Sequence, residues 1–333
     1  MSTLVSSVNV DPFLFSLTQL EDATRVVRKA LPATPQIAWP LLAERSGAHM
    51  VWVKHENHLP TSAFKVRGGL VLADALKKGV YGDVPKGIIT ATVGNHGLSQ
   101  AFAGRQAGFD VTIVVPENNN PEKNKALKAM GVDLIEAGHD YSAAYDISLN
   151  IARERGLFLV EPFLPELMRG VATYSFELFN SVPDLDTVYV PIGMGSGICG
   201  MIRTRNLLGL KTRIVGVVSE NAAAHSLSFR AGQVVTTNSA NTFADGVAVR
   251  IPKPEPVAII CKGAERIVEV SDEAIEEAIR AFHEDTHNMA EGAGAIGLAA
   301  LLGEREKMRG KKVGLVLSGA NIRRPLLAKI LAN

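Results

Sequence analysis

GIITATVGNHGLSQAFAGRQAGFDVTIVVP, residues 87–116, decides the fold. GIITAT at 87–92 is a short apolar run rich in β-branched residues and reads as a strand. After a polar glycine loop, NHGLSQAFAGRQAG carries helical periodicity and reaches Gly108 near its C-terminus. DVTIVVP at 110–116 is a second strand, stopped by proline. Strand, loop, helix, strand is one βαβ unit, and such units build parallel sheets.

The same alternation extends in both directions. Downstream, PEKNKALKAMG is a helix with proline at its start and Gly131 at its end. VDLIEAG at 132–138 is a third strand, a helix covers about 141–155, and LFLVEPF follows. VATYSFELFNSV is helical, DTVYVPIG at 187–193 is a strand, ICGMIRTRNLLG is helical and RIVGVVSE at 213–220 is another strand. A less regular region spans 221–262, then SDEAIEEAIRAFHEDTH and GAIGLAALLGERE give helices and VGLVLSG a last strand. Upstream, residues 15–29 predict a helix, MVWVKHEN at 50–57 a strand and FKVRGGLVLADALKKG a helix. The fold class is α/β with mostly parallel sheets. No tandem repeat or low-complexity linker divides the chain, so its domains are expected to interweave.

A chain of 333 residues, 47% hydrophobic, exceeds the usual limit for one core, so two domains or a large insertion are expected. Lys+Arg 35 against Asp+Glu 34 gives a formal charge of +1, which offers no nucleic-acid surface. Cys199 and Cys261 are too few for a disulfide framework or a cysteine-rich zinc site. The N-terminus lacks the pattern of a secretory signal, and no apolar stretch reaches membrane-spanning length. A cytoplasmic protein is the expectation.

Chemistry is concentrated in loops that follow strands, where parallel sheets bind ligands. TVGNHG at 92–97 reads either as an anion cradle at a helix N-terminus or as a capped helix start. GMGSG at 193–197 joins a strand to a helix, as a phosphate loop or a sharp turn would. No Gly-Lys-Ser/Thr follows it and its glycine spacing is not G-x-G-x-x-G, which excludes the P-loop and the dinucleotide fingerprint. SGAN at 318–321 ends the last strand. In SAFKVRGG at 62–69, Lys65 lies between Phe64 and Val66. A lysine buried there would have a depressed pKa and attack carbonyls; on the surface it would simply snorkel.

Together these elements resemble the threonine/serine dehydratase family of fold-type II pyridoxal phosphate (PLP) enzymes. SAFKVRG matches S-x-F-K-x-R-G, TVGNH matches S-x-G-N-H, GMGSG matches the phosphate loop and SGAN matches S-G-x-N, in that order. The resemblance implies a tryptophan synthase β-like fold of two three-layer domains. Residues 1–61 with 163–333 would form the large PLP-binding domain and 62–162 a smaller inserted substrate-side domain. It also implies a homodimer, and a Schiff base between Lys65 and PLP. Phe64, Asn95, Gly193, Met194, Gly195, Ser196, Gly197 and Ser318 would hold the cofactor. AEGAGA at 290–295 resembles E-x-S-G-A and adds Glu291. Ser62, Thr92, Gly94, Asn95 and His96 would hold the substrate. The implied activity is elimination of the β-hydroxyl from a small β-hydroxy L-amino acid, threonine or serine foremost, to a 2-oxo acid and ammonia. A β-replacement synthase is the rival chemistry.

The departures are informative. Val93 stands where serine racemases of the family carry a second proton-transfer serine, so racemisation by that route is not expected. Val218 and Ala224 stand where relatives ligate a divalent ion, so no metal is expected there. MRGVATYSFE at 168–177 replaces A-G-Q-G-T, and Arg169 becomes a candidate for a second substrate carboxylate. That opens 3-hydroxyaspartate or a hydroxyectoine-derived amino acid as alternatives. The chain ends soon after SGAN, so no C-terminal regulatory domain is expected.

Overall fold

The computed structural model describes residues 11–332. The first ten residues, where the search for a secretory signal begins and the expected large domain starts, and Asn333 lie outside the described residues.

Helix α1 (Leu17–Arg28) opens on a reciprocal cap: Ser16 Oγ accepts from the Gln19 N–H and the Gln19 side chain accepts from the Ser16 N–H. Then come β1 (Gln36–Ala38), α2 (Pro40–Ser46), β2 (Met50–His55) and α3 (Val66–Lys77). The next elements are β3 (Gly87–Ala91), α4 (Asn95–Ala107), β4 (Asp110–Val115), α5 (Pro121–Ala129), β5 (Asp133–Glu136), α6 (Tyr141–Arg155) and β6 (Phe158–Leu159). Their four strands make a wholly parallel sheet in the order β5-β4-β3-β6. Every residue of β3 is buried, as a central parallel strand covered on both faces requires. Alternation sends Ile88 into the core shared with α3 and α4, and Ile89 into the core under α6.

The second half supplies α7 (Pro165–Ser181), β7 (Thr187–Pro191), α8 (Ser196–Leu207), β8 (Arg213–Ser219), α9 (Ala224–Ala231) and α10 (Pro254–Gly263). It ends with β9 (Arg266–Val270), α11 (Asp272–Thr286), α12 (Gly292–Gly303), α13 (Arg305–Met308), β10 (Lys312–Leu317) and α14 (Arg324–Ala332). The large sheet runs β1-β2-β10-β7-β8-β9, antiparallel only between β1 and β2. One face packs on α2, α11 and α12 through Leu42, Phe282 and Ile296, and the other on α7, α8 and α10 through Leu178, Ile198 and Ile260. Helix α12, GAGAIGLAALLG, is apolar all round and accordingly lies inside.

Two strands escaped the pattern reading, β1 and β9. Both are sheet edges, where short, partly exposed strands lose the apolar run that marks a buried one. Helix α1 joins the two cores: Leu20 packs with the large-sheet cluster, Ala23 and Val27 with the small-sheet cluster. Helices α3 and α7 cross at glycines. A Cβ on Gly68 would lie 2.7 Å from the Leu167 carbonyl oxygen, and one on Gly170 would lie 2.5 Å from that of Arg67.

Candidate active site

Strands β2, β10 and β7 are neighbours in the large sheet, so the loops leaving their C-terminal ends converge. They are the segment 56–65, SGAN and the glycine loop, and the small sheet brings the 92–94 loop to meet them. Together they enclose a cleft of about 360 Å³. Its lining includes Phe64, Lys65, Asn95, Gly193, Met194, Gly195, Ser196, Gly197, Glu291 and Ser318, all ten of the residues expected around a cofactor.

Lys65 is fixed by its backbone. Phe64 N–H donates to the Ser318 carbonyl at 3.0 Å, Ala63 bridges to Gly319, and Ser62, at φ 51°, accepts from Ala320 N–H at 2.9 Å. The Lys65 carbonyl accepts from Ser99 Oγ at 2.7 Å. Its ammonium lies 4.7 Å from the Phe64 ring centroid, and Phe64 packs edge-on against Tyr174. The side chain faces only the cleft, and burial lowers its pKa, against the pull of Glu291 and Asp245. Behind it Arg67, fully buried, makes two-pronged pairs with Glu56 and Glu177, and Lys54 joins Glu177 at 2.6 Å.

The glycine loop is built for close approach. Gly195 sits at φ 103°, where glycine is favoured, and a Cβ on Gly193 would lie 2.3 Å from the Gly246 carbonyl oxygen. Helix α8 starts at Ser196, so its unpaired N–H groups face the cleft and suit a phosphate. Tyr174 braces the loop from behind by donating to the Gly197 carbonyl at 3.2 Å. His225 lies against the Gly193 backbone, its pKa lowered to about 4 by burial.

Asn95 Nδ2 donates to Glu291 Oε1 at 2.6 Å, and its own Oδ1 accepts from Asn321 Nδ2 at 2.8 Å. Burial pushes the Glu291 carboxyl up to about 7, opposed by Lys123 and aided by Asp245, and its Oε2 is buried without a partner. Ser318 Oγ donates to the Ala293 carbonyl at 3.2 Å. In the 92–97 loop Thr92 Oγ1 accepts from the N–H groups of Gly94 (3.0 Å) and Gly97 (3.2 Å). Burial, and secondarily Lys65, lower His96 to about 4, and its Nε2 has no partner. An isolated amine in a cleft, a phosphate cradle and a neutral hydroxyl opposite fit PLP.

The family model for pyridoxal-phosphate dependent enzymes matches residues 27–319. The chain belongs to that family. Within it the chain is a fold-type II enzyme of the threonine/serine dehydratase group. An L-threonine ammonia-lyase of Geobacter sulfurreducens is 34% identical over 306 residues, covering 92% of this chain and 75% of that one. An L-threo-3-hydroxyaspartate ammonia-lyase of Saccharomyces cerevisiae is 30% identical over 302 residues, covering 90% and 91%. The solved processed form of threonine deaminase isoform 2 from Solanum lycopersicum superposes with a TM-score of 0.87 at 28% identity, covering 95% and 92%.

One expected site residue does not join the others in this family member. Arg169 lines a separate groove beside Arg25, Lys29 and Lys78, and pairs with Glu166 one helical turn back at 3.3 Å. Helix periodicity explains it: Met168 and Val171 face the core and Gly170 faces α3, which leaves 169 the remaining side. Val218 and Ala224 are core residues. Among the described residues no group of three His, Cys, Asp or Glu is placed to hold a metal. Pattern reading missed Pro191, Gly246 and Ala293 in the cleft wall, and Lys123 and Asp245 beside it. The one available signal for Gly246 was the Asp-Gly pair in the irregular region.

Proposed function

We propose that this enzyme eliminates water and then ammonia from a small β-hydroxy L-amino acid, threonine or serine foremost, leaving a 2-oxo acid. The observation that carries this is the poorly solvated Lys65 amine facing a cleft that also holds the glycine loop and Ser318. Bound PLP supplies an electron sink that acidifies the Cα–H of an attached amino acid. Lys65 Nζ, its lowered pKa favouring the neutral amine, anchors the cofactor aldehyde and then takes the Cα proton. The N–H groups at the start of α8 hold the phosphate, and Asn95, oriented by Glu291 and Asn321, holds the ring oxygen. Ser318, a neutral hydroxyl, leaves the ring nitrogen unprotonated, which favours elimination over transamination. The 92–97 loop binds the substrate carboxylate. Val93 offers no proton to the opposite face, which disfavours racemisation.

The L-threonine ammonia-lyases among the relatives support threonine; the yeast relative supports 3-hydroxyaspartate as a second reading. Arg169, which pairs with Glu166, lends that second reading no support. The same proposal takes 62–162 as the inserted domain, supported by the confinement of the small sheet to 87–159. It also takes the enzyme to be cytoplasmic and homodimeric; the exposed Ile37, Leu41 and Met50 at the β1–β2 end offer a subunit contact. The test is an absorbance scan of purified, cofactor-loaded protein with 2-oxo acid release followed for threonine, serine and threo-3-hydroxyaspartate. The wild type shows a visible imine band that borohydride bleaches. Lys65→Ala shows neither band nor turnover, a loss of roughly 10³-fold or more. Folded, loaded wild type without an imine band rejects the proposal.

A further inference from the structure

Lys123 is a lysine at 5% exposure, and nothing above gives it a task. It lies on the first turn of α5, and its Nζ fills the space beside Gly94: a Cβ there would come within 2.8 Å of it. The ammonium therefore sits against the loop proposed to take the substrate carboxylate. Its partner is Asp245 Oδ2 at 2.5 Å, on a side chain 41% exposed. Asp245 precedes Gly246, whose carbonyl packs on Gly193 of the phosphate cradle. The pair thus runs from the small-sheet unit to the wall of the cofactor cleft. Lys253 and Glu161, 2.9 Å apart, tie the same segment to the same unit a second time.

We propose that Lys123 is a positioning residue for the substrate's α-carboxylate, and that Asp245 is the anion it holds until that carboxylate arrives. The inference rests on the PLP-dependent reading above. A nearly dry ammonium needs an anion close by. Asp245 can return to water at little cost because it is already half in it. An amino-acid carboxylate docked on the 92–97 loop brings the same charge to the same ammonium, next to the N-terminus of α4. Lys123 moves no proton in this scheme; it fixes where the carboxylate, and hence the Cα–H, lies.

The experiment titrates the cofactor-loaded enzyme with glycine, which has the carboxylate but no leaving group, and with glycinamide, which lacks the charge. The shift of the imine spectrum reads the apparent Kd. Lys123→Met weakens glycine about tenfold or more, the size of one lost charge-assisted contact, and leaves glycinamide unchanged. Lys123→Arg recovers most of the loss. Asp245→Asn binds glycine at least as tightly as wild type, because the ammonium then has no other anion. Equal weakening of both ligands, no weakening of glycine in Lys123→Met, or weakening by Asp245→Asn overturns the proposal while wild-type turnover keeps the dehydratase reading intact. A wild type with no imine band overturns both.

Discussion

Burial acts on two residues of the cleft in the same direction, toward neutrality. It lowers Lys65 and raises Glu291 to about 7. A carboxyl whose folded value exceeds its ordinary 4.5 contributes stability that is full below 4.5 and is lost as pH rises through about 7. Glu291→Gln should therefore stabilise the cofactor-free protein at about pH 8, on the order of 2 kcal/mol, and do little near pH 4. Scanning calorimetry at the two pH values checks this, and an equal shift at both rejects it. Arg169→Ala makes the complementary case: its pair with Glu166 lies outside the cleft, so KM for threonine, serine and hydroxyaspartate should stay within about twofold and stability within about 1 kcal/mol.

At the scale of elements, the crossing of α3 and α7 sets the aim of Lys65, because the lysine is the residue before α3. Gly170→Ala puts a methyl 2.5 Å from the Arg67 carbonyl, a backbone atom that cannot swing aside. We expect a loss of about 1–3 kcal/mol in denaturant unfolding, with a fall in kcat larger than the change in KM as the lysine is displaced. The elements most legible in sequence were those whose requirements are local. The central strands announce themselves by full burial, and GMGSG by glycines that backbone contact and positive φ demand. The edge strands β1 and β9 were illegible because half their surface faces water, which breaks the apolar run. Arg169 misled because its face of the helix is set by what Gly170 and Val171 pack against, and that is tertiary. Lys123, Asp245 and Gly246 were hidden because two distant segments meet only once both sheets are assembled.

Across the whole molecule, Arg67, Glu56, Glu177 and Lys54 join β2, α3 and α7 behind the catalytic lysine. Burial alone would raise Glu177, but Arg67 and Lys54 hold its carboxyl below the usual value. A depressed carboxylate contributes stability at and above its ordinary pKa and loses it as pH falls through the folded value. Arg67→Met leaves two buried carboxylates sharing one lysine and should cost about 3–5 kcal/mol near neutrality. The same variant should flatten the acid limb of the stability profile, where the carboxylates become protonated in both proteins. Urea unfolding across the acid range separates this from a simple packing loss, which would be independent of pH.

Strand β10, made last of all the strands, lies between β2 and β7, which are made much earlier. A ribosome therefore releases the small parallel sheet as one contiguous stretch long before the larger one can close. Until residues 312–321 emerge, β2 and β7 have no strand between them and Lys65 has no Ser318 carbonyl to fix the preceding residue. Nascent chains of this enzyme should fold in two stages, and the ability to capture the cofactor should arrive abruptly, with the final few dozen residues.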